Sequence, residues 1–124
     1  MPALERLPGL RVIADPVALD GASWRGDAVT VLRFAPDDAF AIGADGVDID
    51  DEHAIVEPEV GLVGAWLPID AVERHLEWPL PGARPALAQG FVATVPAKVW
   101  LPDDGDALLL TAAAFADELA GRLR

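Results

Sequence analysis

Apolar positions in this chain fall in short runs, many of them alternating, and only two stretches keep a helical period. Val29-Thr30-Val31-Leu32-Arg33-Phe34 is rich in β-branched and apolar residues, Ala35-Pro36-Asp37-Asp38 carries turn chemistry, and Ala39-Phe40-Ala41-Ile42 is apolar again before Gly43. This order predicts a β-hairpin. Residues 53–57 and 61–67 read as two further strands separated by Pro58. Pro68 then suits a first helical position, Asp70 sits where a helix dipole favours an anion, and Ile69, Val72 and Leu76 recur at helical spacing, which predicts a helix over 68–77. Trp78-Pro79-Leu80-Pro81-Gly82 stops it, because neither proline can continue a helix.

The last third repeats the theme. Residues 86–95 and 97–101 read as strands broken at Pro96, Pro102-Asp103-Asp104-Gly105 as a tight turn, and 107–110 as the return strand. Thr111 is expected to cap a helix over 112–123, in which Phe115, Leu119 and Leu123 form one apolar stripe. The expected order is β-β-β-β-α-β-β-β-α. Short, hairpin-like connections make this an α+β fold, a largely antiparallel sheet with both helices packed on one face. Residues 1–28, punctuated by Pro2, Pro8, Gly9, Pro16, Gly21 and Gly26, are expected to be an irregular segment wrapping a single domain over 29–124. Within that segment 10–14 reads as one short strand, and Trp24 as a pin to the core.

Charge changes the picture of partners. The net charge is −12, and no Lys or Arg lies between Arg33 and Arg74. Aspartates and glutamates crowd that interval, densest over 45–52. Such a field repels phosphate backbones and anionic lipid, so neither nucleic acid nor a membrane surface is an expected partner. No run approaches the ~20 apolar residues of a spanning helix. The start, Met1-Pro2-Ala3-Leu4-Glu5-Arg6, lacks the basic-then-apolar pattern of a secretory signal, and a cytoplasmic location is expected.

The chemical inventory is spare. There is no Cys or Tyr, two His (His53 and His75), one Lys (Lys98) and one Ser (Ser23). The acidic run 45–52 lacks the glycine and glutamate spacing of an EF-hand loop, so it reads as a solvated loop and not a metal site. Neither His has zinc-ligand spacing, and Ser23 is outside any nucleophile motif. No catalytic residue, metal or cofactor is assigned. Gln89 stands out as the one amide side chain in the expected core, and must find partners or a ligand there. Trp66, Trp78 and Trp100 carry large apolar areas beside proline-containing turns, and Trp is enriched at interfaces, so at least one is expected to serve a contact. Trp66, Gln89 and Trp100 are therefore the candidate contacts to a partner or ligand.

From Val29 to Leu123 the chain resembles the gamma subunit of heterotetrameric sarcosine oxidase and, more distantly, the folate-binding domain of aminomethyltransferases. Leu32-Arg33-Phe34-Ala35-Pro36-Asp37-Asp38-Ala39-Phe40-Ala41-Ile42 is similar to that family's strand, Pro-Asp-Glu turn and strand. Gly61-Leu62-Val63-Gly64-Ala65-Trp66-Leu67 resembles its passage into the first helix, and Gln89-Gly90 through Ala107-Leu108-Leu109-Leu110 its closing hairpin and helix. The chain is shorter than a usual gamma subunit, and no residue matches a folate-binding carboxylate or a flavin attachment site. The resemblance implies a non-enzymatic accessory subunit that packs against an oxidoreductase or folate-dependent enzyme, or against its own copy. Two other classes stay open: a small-molecule module with Gln89, Trp66 and Trp100 around one apolar pocket, and an acid–base enzyme using His53 or His75 with a carboxylate.

Overall fold

The computed structural model describes residues 3–123. It is an α+β protein with nine strands in two antiparallel sheets and three short helices. From residue 23 onward the element order is the expected one: β3 (Ser23–Ala35), β4 (Asp38–Asp48), β5 (Ile55–Glu59), β6 (Leu62–Leu67), α2 (Ile69–Glu73), β7 (Ala86–Val92), β8 (Val95–Leu101), β9 (Ala107–Ala112) and α3 (Ala116–Arg122). Ahead of these lie β1 (Glu5–Arg6), β2 (Gly9–Ile13) and α1 (Pro16–Asp20). The chain divides into two compact units: Leu7–Val60 forms one, and the described residues up to Arg6 and from Gly61 onward form the other. Among the described residues no helix is long and apolar enough to cross a membrane.

The unit from Leu7 to Val60 has strand order β3-β4-β2-β5. Its core corrects the reading of residues 1–28 as an irregular wrap. β2 lies inside the sheet between β4 and β5, with Leu10 and Val12 buried against Ala39, Ala41 and Ala44. The prolines and glycines flank this strand instead of interrupting it. Gly9 is required where it stands, since a Cβ there would run into the Ala41 carbonyl of β4. α1 has a signal in the sequence that was not used: Asp15 caps it, accepting from the Val17 amide at 2.9 Å, and Pro16 occupies the first turn. Leu19 from α1 is buried in the same cluster, and Trp24 packs against its edge.

The acidic run is also shorter as a loop than its composition suggests. β4 continues through Asp48, and Arg25 of β3 lies over Gly46 and pairs with Asp48 at 2.7 Å. What remains, Ile49–Ala54, is tied down by Asp51, whose carboxylate accepts from the backbone amides of Asp15 (2.8 Å) and His53 (2.9 Å). Those two bonds hold its pKa below the ordinary aspartate value.

The second unit has strand order β1-β6-β9-β8-β7. Val95, Ala97, Val99 and Leu101 of β8 alternate inward and join Ala65, Leu67, Ala107 and Leu109 under Val72 of α2 and Leu119 of α3. Both helices thus cover one face, as expected. The break between β7 and β8 is at Ala93-Thr94 and not at Pro96, because these two residues form the hairpin turn with positive φ (48° and 70°) and Pro96 is the second residue of the return strand. β9 runs on to Ala112, so Thr111 is a buried strand residue whose hydroxyl donates to the Pro96 carbonyl at 2.7 Å instead of capping a helix. The closing helix consequently starts later, after a 3₁₀ turn at Ala113–Phe115 that leaves Phe115 exposed while Leu119 and Leu123 stay buried.

Candidate functional site

Register places the three expected contact residues on one face of the five-stranded sheet, the face turned away from α2 and α3. Trp66 of β6 pairs with Leu108 of β9, Leu108 with Trp100 of β8, and Trp100 with Leu87 of β7, so these four side chains form one cross-strand row. Two residues further along, Leu110, Lys98 and Gln89 form the next row. Leu108 and Leu110 in the middle are fully buried in the isolated chain, whereas Trp66 is 46% exposed. The middle of this face therefore needs no partner to shield it.

Gln89 is a correction: it is exposed, not an amide inside the core. The cause is strand order, which puts β7 at the outside of the sheet with β8 as its only neighbour. Trp66 and Trp100 are not its pocket-mates. Trp66 lies three strand spacings from Leu87 of β7, about 14 Å, and neither Trp lines the grooves that flank Gln89. A single apolar pocket made by Gln89, Trp66 and Trp100 is not what the fold builds.

What it builds is a ridge. Gln89 and Phe91 border two grooves, one on each side of β7. On one side a groove of about 400 Å³ is lined by Leu62, Lys98, Leu110 and Phe115. On the other a groove of about 780 Å³ is lined by His75, Glu77, Trp78 and Thr94. Phe91 between them is 63% exposed, a large cost in apolar area left in water. Trp78 shapes the larger groove: its indole lies 3.1–3.2 Å from where a Cβ on Gly90 would stand, and its N–H donates to the Phe91 carbonyl at 2.9 Å. Gly90 is the seat for that ring. The Ala93 amide likewise donates to the His75 carbonyl at 3.2 Å. Residues 75–78 thus cap only the C-terminal end of the β7 edge. Because alternate residues of a strand turn their amide and carbonyl to the same side, Leu87 and Gln89 present theirs outward with Phe91.

Reactive groups do not converge here. His75 stands at the larger groove with Glu77, while His53 is on the other unit, its side chain 87% exposed beside Glu52 at 3.4 Å. Among the described residues no three His, Cys, Asp or Glu side chains are grouped as a metal site needs, and no buried side-chain polar atom lacks a hydrogen-bond partner. Sequence reading did not assign Phe91 as a site residue, and it raised Trp78 beside Trp66 and Trp100 without carrying it into the candidate contacts. The available signal was Gly90 between Gln89 and Phe91, a glycine inside a strand marking close approach by another group. Compared with protein-family models, curated proteins and solved structures, the chain matches none of them.

Proposed function

We propose that this protein acts as an accessory domain that binds another protein subunit, and that the β7 edge with Phe91 is its contact. The observation that carries this is Phe91, 63% exposed on an edge strand whose outward backbone groups are, among the described residues, capped only at one end. An extended segment adding to such an edge gains main-chain hydrogen bonds, and the grooves on either side take its alternating side chains. The resemblance to the sarcosine oxidase gamma subunit makes an oxidoreductase or folate-dependent enzyme the expected partner class, with the chemistry residing in that partner.

The test is affinity purification from the native source of the unaltered chain and of Phe91→Asp, with partners identified by mass spectrometry and flavin absorbance. An oxidoreductase subunit held by the unaltered chain and lost by a correctly folded Phe91→Asp protein is expected, across an interface of about 1,200 Å² or more. Retention of the same partner by Phe91→Asp overturns the assignment of this edge. Replacing both His53 and His75 by Gln is expected to leave partner binding unchanged, because His75 serves the groove wall through its backbone carbonyl. Loss of function in a folded double variant points to acid–base chemistry instead.

A further inference from the structure

The other unit carries a second exposed strand with a different character. β5 lies at one edge of its sheet, and Ile55 (55%) and Val56 (43%) are open to water, as is Ile13 (43%), the residue paired with Ile55 on β2. A shallow groove of about 270 Å³ runs over this pair, bordered by Arg11, Glu57 and Glu59. Among the described residues lining this groove Arg11 is the one cation, and it is committed: its guanidinium forks onto Asp38 at 2.9 and 2.6 Å and reaches Glu59 at 3.0 Å. Glu57 makes no salt bridge among the described residues. The strip therefore combines solvent-exposed aliphatic side chains with a carboxylate that lacks a cation.

We infer that β5 is a docking strand for an extended segment of a different protein, one carrying basic residues next to aliphatic ones. Charge selects this occupant. A second copy pairing over residues 55–57 would offer only Ile, Val and Glu there, and so no cation to answer Glu57. Each copy also brings a net charge of −12. A basic side chain opposite Glu57 and aliphatic ones opposite Ile55 and Val56 remove both the unanswered charge and the exposed apolar area. Pro58 has no amide to offer, so Ile55–Glu57 is the half of the strand that pairs. This surface is separate from the β7 edge and stands or falls independently of it.

The probe is an acetylated Lys-Thr-Lys-Val-Val-Thr peptide, titrated into the isotope-labelled full chain and followed by amide chemical shifts. Shifts confined to Ile13, Ile55, Val56, Glu57 and their neighbours are expected. Lys-Thr-Lys-Ser-Ser-Thr, with the same charge and no aliphatic residues, should bind roughly tenfold more weakly, as should Lys-Thr-Lys-Val-Val-Thr to Glu57→Lys and Ile55→Asp proteins. Asp104→Lys reverses the same amount of charge on the other unit and should leave the affinity within about twofold. Shifts spread over the whole acidic surface, equal binding of the serine peptide, equal weakening by Asp104→Lys, or no binding at millimolar peptide each overturn the assignment. So does a dimer in sedimentation that Glu57→Lys alters.

Discussion

At the scale of single residues, two carboxylates have structural work that composition hides. Asp51 accepts two backbone hydrogen bonds and its pKa is lowered below the ordinary value by them. A carboxylate with a depressed folded pKa adds stability that is complete above its unfolded value, about 3.9, and is lost as pH falls through the folded value. A carboxyl carbon titration should therefore show Asp51 titrating below free aspartate, and Asp51→Asn should remove that part of the acid sensitivity. A midpoint at or above 3.9 contradicts the bonding. Asp38 holds Arg11 through a bidentate pair while the guanidinium stacks over Phe34 at 4.8 Å from its centroid. The fork raises the Arg11 pKa first of all through the Asp38 bonds. Arg11→Met is expected to lower stability by about 1–2 kcal/mol in urea unfolding, since a partly exposed ion pair with hydrogen bonds falls in that range. An unchanged midpoint would show the pair to be worth nothing net.

At the scale of elements, strands were legible wherever alternation met turn residues, as in β3, β4, β6 and β9. Their ends were not. Pro96 reads as a break, yet Ala93 and Thr94 make the turn despite positive φ that suits neither residue. Replacing Ala93-Thr94 by Asn-Gly, which favours this hairpin turn, should raise stability by about 1 kcal/mol without moving the register. Unfolding in urea measures it, and a loss of stability would mean that the Thr94 side chain contributes more than the turn costs. Helix α1 shows the converse, a short element announced by Asp15-Pro16 but concealed in a segment whose glycines and prolines suggested irregularity. The candidate site was half legible. Gln89 was singled out for a core environment that it does not have, because nothing local distinguishes an edge strand from a central one. For the same reason Phe91 was not singled out.

At the scale of the whole molecule, the net charge of −12 sets a self-repulsion that the fold must tolerate. Added sodium chloride shortens the Debye length from about 30 Å at 0.01 M to about 3 Å at 1 M. The melting temperature should rise over that range, since repulsion among exposed carboxylates is screened more than the part-buried Arg11 cluster. A fall would indicate that the ion pairs outweigh the repulsion. Division into units is also a property of the whole chain: β1 joins the second unit by pairing Glu5 with Gly64 and Arg6 with Val63. That pairing spans nearly sixty positions of sequence, and no local pattern contains it.

By itself the sequence determined the α+β class, the element order from residue 23 on, the antiparallel connections and the acidic character of the surface. Those follow from periodicity, turn chemistry and charge, which act between near neighbours. Only tertiary structure decided which strands lie at sheet edges, that β2 fills the centre of its sheet, that Trp78 rests on Gly90, and that Phe91 and Ile55 stay in water. Exposure of an apolar residue depends on what packs beside its strand, and that partner comes from a distant part of the chain.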